Sequence, residues 1–158
     1  MTKYPLDALL SLRRHRVDEA ITNHAQILTR LKQAVAHHQD LVDALSQYKI
    51  WKNEEIERRY QTILGKTLSQ DDLEKFKAAL ARLDYEELLY QEKIDEAQAS
   101  IDKLKKEEID AKNAIKEANQ AVVKLEEHRK IFLAREKLLE ERLSEVELED
   151  FRVKKKNF

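Results

Sequence analysis

The sequence predicts an all-α fold: a long antiparallel two-helix coiled-coil hairpin with unequal arms. Three observations carry this. Charged residues make up 39% of the 158 residues, with only one glycine and one proline. Such a composition favours long helices over sheets and loops. Apolar residues then recur with a seven-residue period over most of the chain. The single glycine, Gly65, falls between the two patterned stretches.

Pro5 sits where a first helical turn tolerates a missing N–H. Helix 1 is expected over about 6–64. Its apolar stripe is broad. Ile21, Leu28, Val35 and Val42 form one row; Val17, His24, Leu31, His38 and Leu45 form a second; Ala20, Ile27, Ala34, Leu41 and Tyr48 widen the same face. The pattern then loosens into Trp51, Ile56, Tyr60 and Ile63. Glycine is the usual residue just past a helix C-terminus, because it accepts a left-handed backbone without a Cβ clash. The turn is therefore placed at 65–70. Ser69, followed by Asp71 and Asp72, reads as a cap with acids at the positive helix end.

Helix 2 is expected over about 71–153, followed by a basic tail at 154–158. With Leu73 at heptad position a, every d position is apolar: Phe76, Leu83, Tyr90, Ala97, Leu104, Ala111, Ala118, Leu125, Phe132, Leu139, Val146 and Val153. Such an unbroken repeat is the signature of a coiled coil with a left-handed supercoil. Folding back at 65–70 brings Val35 near Ile101, Val42 near Ile94 and Lys49 near Glu87. At 1.5 Å per residue the helices measure about 90 and about 125 Å. Helix 2 should therefore run past its internal partner near residue 130. There the a positions turn polar, at Arg129, Glu136 and Asp150. This arm should fray or dock on another protein.

The charge balance is 30 basic against 31 acidic residues. It gives no strong pull on nucleic acid or an anionic membrane. The longest apolar runs are four residues, at 78–81 and 131–134, against the roughly 20 that a membrane span needs. The N-terminal stretch has no apolar signal core. A soluble, cytoplasmic chain that is not membrane-embedded is expected.

No catalytic, cofactor-binding or metal-binding residues are expected, and the protein is not expected to be an enzyme. One glycine leaves no phosphate-cradling loop, and no cysteine is present to build thiolate metal or redox sites. His37 and His38 are adjacent and point about 100° apart on a helix, so they do not chelate as an i,i+4 pair would. His24 and His38 read as polar seam residues, and His15, His37 and His128 as solvated ones. A two-helix surface offers grooves rather than a pocket of several hundred Å³.

Three features stand above this background. Arg13, Arg14, His15 and Arg16 follow Leu6, Leu9, Leu10 and Leu12, as either an ordinary amphipathic start or a docking end for an acidic partner. Tyr48, Trp51 and Tyr60 lie near the hairpin tip, either as a binding surface or as a thicker local core against Phe76. The third is the basic C-terminal tail, whose plain reading is a disordered end.

These residues carry a resemblance. The run from Tyr4 to Ala20, with leucines, then spaced arginines, then Val17-Asp18-Glu19-Ala20, resembles the N-terminus of the YscO/FliJ family (SctO). These are coiled-coil stalk proteins of type III secretion systems. Tyr48-x-x-Trp51-x-x-x-Glu55 and Asp72-Leu73-Glu74-Lys75-Phe76 resemble the segments flanking the family's hairpin turn. The resemblance implies a non-catalytic stalk or adaptor, monomeric alone, at the cytoplasmic face of the inner-membrane apparatus. Its implied partners are the hexameric secretion ATPase and the cytoplasmic ring of the export gate, with substrate chaperones or the needle-length regulator as further partners. By position, Leu6, Leu9, Leu10, Arg13, Arg14 and Arg16, with the C-terminal arm, match the ATPase end. Tyr48, Trp51, Phe76, Leu80 and Leu83 match the gate end, although the last three are also seam positions. The alternative is a generic coiled-coil scaffold or dimerisation protein unrelated to secretion.

Overall fold

Strong helix formers fill this chain, and only its ends and one short connection interrupt them. The computed structural model describes residues 3–156 and contains two helices, α1 (Asp7–Ile63) and α2 (Gln70–Lys156). Pro5 lies in the turn that opens α1, where the Asp7 N–H donates to the Tyr4 carbonyl at 3.3 Å and the Leu10 N–H to Leu6 at 2.9 Å. The missing proline N–H costs nothing there.

The connection uses the chemistry read from the sequence. Gly65 has φ +76°, the left-handed conformation that closes a helix. The Leu64 N–H donates to Tyr60 and the Lys66 N–H to Ile63, so two of the last carbonyls of α1 are satisfied. At the start of α2, Ser69 Oγ accepts from the Asp72 N–H at 3.1 Å. Asp71 and Asp72 occupy the first turn, where carboxylates complement the positive end of the helix dipole.

At its far end α2 does not stop at 153. It continues through Lys154, Lys155 and Lys156, so the basic residues expected in a tail form its last turn. Three ammonium groups there complement the negative end of the dipole. The last two positions of the expected tail, 157 and 158, lie outside the described residues.

The two helices contribute to two compact units. One is Gln26–Ile109; the other joins the chain up to Ala25 with the stretch from Asp110 onward. In the first unit the core is Ile27, Leu45 and Tyr48 of α1 against Leu83, Ile94, Ala97 and Ile101 of α2. In the second it is Tyr4, Leu10, Ala111 and Leu125. Each row is one helical stripe, because a helix with a single partner buries one stripe only. Among the described residues no large side chain is completely buried.

The stripe on α1 is narrower than expected. The rows from Val17 to Leu45 and from Ala20 to Tyr48 are all buried or half-buried. In the row Ile21, Leu28, Val35 and Val42, the first three are each more than two-fifths exposed and Val42 alone is half-buried. This row stands one residue, about 100°, away from the seam. On α2 every d position from Phe76 to Phe132 is buried or half-buried, whereas Leu139, Val146 and Val153 are exposed.

The turn can be tested directly. An added Cβ at Gly65 would meet no atom within 4 Å, so Gly65→Ala pays only for the left-handed backbone, about 1–2 kcal/mol. Gly65→Asn should cost less, and Ser69→Ala about 1 kcal/mol. Thermal melts of the three variants should rank them in that way; an unchanged melt for Gly65→Ala would contradict the assigned turn.

Candidate functional site

Near the start of α1, four polar residues tie the helix to α2. The Tyr4 hydroxyl bonds to His128 Nδ1, and its ring lies 5.5 Å from Phe132 and 5.6 Å from the His128 ring. Tyr4 is 3% exposed, so this cluster anchors the segment preceding α1. His128 is exposed, as expected of a solvated residue, and is also Tyr4's partner. Asp7 Oδ1 accepts from Arg129 Nε at 3.2 Å. Arg14 pairs with Glu126 at 3.2 Å on the exposed surface, where such pairs contribute little to stability. Arg13 behaves differently. Its Nη1 donates to the Ala121 carbonyl at 2.8 Å, so its charge is used within the seam.

The residues matched to an ATPase end thus separate. Leu10 is core and Leu9 half-buried; Arg13 spans the seam. Leu6, Arg14 and Arg16 are exposed. Arg16 borders a hollow of about 380 Å³ with Arg13, Ala114, Glu117, Ala118 and Ala121.

Beyond Glu136, every residue of α2 up to Lys156 is exposed. Leu138, Leu139, Leu143, Val146, Leu148, Phe151 and Val153 are each more than half exposed. The reason is local: α1 begins at Asp7, which pairs with Arg129, and among the described residues no element of this unit accompanies α2 farther on. Leu139, Leu143, Val146 and Val153 continue the heptad seam face of α2, whereas Leu138, Leu148 and Phe151 lie on other sides of the helix.

The unit Gln26–Ile109 holds the residues matched to a gate end. Tyr48 stacks against Trp51 and Tyr90, with ring centres 5.6 and 5.0 Å away. Its hydroxyl donates to the Leu83 carbonyl at 2.7 Å and lies 3.4 Å from Glu86 Oε2. Burial, reinforced by the Glu86 carboxylate, raises its pKa. Tyr48 and Leu83 are therefore core. Phe76 and Leu80 are half-buried, and Phe76 meets Tyr60 edge-on at 5.1 Å. Trp51, 44% exposed, is the member of this set that faces solvent; it borders a hollow with Arg59 and Arg82.

Lys49 does reach Glu87, at 3.9 Å, as expected. The tighter partner was missed. Lys52 Nζ lies 2.5 Å from Asp84 and 2.7 Å from Glu87, with its side chain 11% exposed. The signal was available: Lys52 is the next member of the seven-residue row from Val17 to Leu45. Hydrogen bonds to Asp84 and Glu87 raise its pKa.

The described residues contain no group of three or more His, Cys, Asp or Glu side chains able to hold a metal. No helix among them is long and apolar enough to cross a membrane. Hollows of several hundred Å³ occur along the helices, as open grooves. The one lined by Ala34, His37, Leu41, Lys93, Glu96, Ala97 and Ser100 measures about 450 Å³. It is an open groove, created where small residues on both helices leave the seam shallow.

The model of the type III secretion protein YscO family matches residues 6–154. No curated protein matches the sequence. Among solved structures, the fold is similar to the type III secretion protein YscO from Vibrio parahaemolyticus. That match has a TM-score of 0.88 at 20% identity and covers 92% of each chain. It is also similar to CT670 from Chlamydia trachomatis, described as a putative YscO homolog. Here the TM-score is 0.76 at 19% identity, over 96% of this chain and 93% of the other.

Two measurements check this geometry. Tyr4→Ala should cost about 3 kcal/mol locally. It should speed amide exchange in the first turns of α1 and around His128, leaving Gln26–Ile109 protected; Tyr4→Phe should retain most of that protection. Separately, Lys52 and Tyr48 both hold their protons more tightly when folded. Their contribution is complete below about pH 10 and is lost as pH rises through the raised folded values. Thermal stability should fall across that alkaline range, and less steeply in Lys52→Met.

Proposed function

Because the chain belongs to the YscO family of type III secretion proteins, we propose that it is a non-catalytic stalk or adaptor of the export apparatus. In this reading it joins the hexameric secretion ATPase to the cytoplasmic ring of the export gate, and it presents chaperones or the needle-length regulator to them. Family membership sets aside the alternative of a coiled-coil scaffold unrelated to secretion. The observation that best supports the reading is the arm of α2 beyond Glu136, whose apolar residues are all exposed among the described residues. A helix face of this kind docks into a groove of another protein through anchors at i, i+3 and i+7. Leu139, Leu143 and Val146 stand at i, i+4 and i+7 and share that face.

The exposed residues of the N-terminal set, Leu6, Arg14 and Arg16, would complete an ATPase-facing end together with the arm. Arg13 and Leu10 would support it from within. At the other candidate surface, Trp51 is the exposed anchor, and Tyr48, Phe76, Leu80 and Leu83 hold the helix that presents it. Tryptophan is enriched among residues that dominate binding energy. A helical pair that docks at separate surfaces needs no catalytic pocket, which agrees with the chemistry of this chain.

The test is co-purification with the secretion ATPase of the same organism, with hydrolysis rates measured with and without this chain. Binding and a changed rate are expected. Leu143→Glu with Val146→Glu should weaken binding by about 100-fold, since two anchors of roughly 1.4 kcal/mol each are lost. Arg14→Glu with Arg16→Glu should have a smaller, salt-dependent effect. Equal binding by the arm variant and the unaltered chain would overturn the assignment of the arm.

A further inference from the structure

A second stripe on α2 faces away from the seam. Steps of three and four residues lead from Lys116 through Gln120 and Val123 to Leu138, Glu141 and Glu145, so all six share one side of the helix. All six are exposed. Val123 and Leu138 are 48% and 55% exposed. Around Lys116, Gln120 and Val123 the surface forms a hollow bordered by further lysines, Lys112 and Lys124. The opposite end of the stripe is acidic: seven acids and two bases lie between 136 and 150.

The stripe is its own complement when reversed. Lys116 and Glu145 are equidistant from a point between Lys130 and Ile131. So are Gln120 and Glu141, and Val123 and Leu138. The ends and the two large apolar members therefore match when reversed, from basic Lys116 through Val123 and Leu138 to acidic Glu145, while Glu127, on the same side, stands opposite Ala134. Within one chain these partners cannot meet: Val123 and Leu138 are about 22 Å apart along a continuous helix, and Lys116 and Glu145 about 44 Å.

We propose that two copies of this chain associate through this stripe, antiparallel, about a two-fold axis crossing α2 between Lys130 and Ile131. Each contact then occurs twice, as an isologous interface requires. Lys116 of each copy faces the other's Glu145, and Val123 packs on the other's Leu138. Gln120 donates to the other's Glu141. The face used lies well away from Leu143 and Val146, so this inference stands independently of the proposed ATPase contact. A parallel pairing is disfavoured, because it would align the acidic segments of both copies and repel them. The interface is a surface stripe with few apolar members, so the dimer is weak and salt-sensitive.

The natural sequence lacks cysteine, which permits a direct test on the full chain. Val123→Cys and Leu138→Cys chains are prepared separately, then oxidised alone and mixed. The mixture should give a covalent dimer; each alone should give far less, because in this register its own cysteines lie about 22 Å apart across the axis. Sedimentation should show wild type shifting from monomer to dimer as concentration rises towards about 1 mM. Lys116→Glu should weaken the dimer about tenfold, since each change acts at two contacts. Lys116→Glu with Glu145→Lys should restore it. Circular dichroism of the variants checks that the helices are intact. A mixture that forms no more covalent dimer than the single variants would overturn the proposal, as would a charge swap that fails to restore association.

Discussion

Each helix in this protein has one partner, and that constraint governs the rest. A helix packed against a single neighbour can hide only the stripe that faces it. No large side chain among the described residues is therefore completely buried. The apolar seam is too thin to specify its alignment by volume alone, because Leu, Ile and Ala recur at the same spacing along both helices. Alignment must come from residues that differ from the repeat.

In the unit Gln26–Ile109 those residues are polar. Lys52 occupies a seam position and is held between Asp84 and Glu87. A slip of one heptad would set its ammonium against Leu80 or Ile94, leaving a charge without a partner. Such a loss costs far more than the intact pair contributes. Tyr48 acts likewise, because its hydroxyl needs the Leu83 carbonyl. Polar groups at otherwise apolar seam positions are the best-attested means by which coiled coils select one register.

In the other unit the same constraint has a different outcome. Tyr4, Asp7, Arg13 and Arg14 fasten the start of α1 to the segment of α2 between Ala121 and Phe132. Beyond Glu136 the stripe continues in sequence but has nothing to face among the described residues. The apolar period that forms a core where α1 is present becomes an offered surface where it is absent. The exposed apolar residues of α2 thus follow from the unequal lengths of the two helices.

Much of this was legible in the residues themselves. Gly65 and Ser69 announced the turn, since few other residues supply a left-handed backbone or a capping oxygen. The d positions of α2 were read correctly through Phe132, because a seven-residue period is a property of the chain alone. Even the bare arm followed from counting residues on either side of Gly65. What the repeat could not decide was which of two adjacent rows faces the partner. Val35 and Ala34 belong to rows of equal period, and only packing against α2 left the first exposed and half-buried the second. The same holds for Lys52, whose place is meaningful only once Asp84 and Glu87 stand opposite. It holds also for Tyr4, separated from His128 by nearly the whole chain, and for Leu10 and Leu83, whose burial distinguishes support from contact. Periodicity and turn chemistry are local and can be read in order along the sequence. The choice of a facing row is a relation between two helices, and it exists only after they have met.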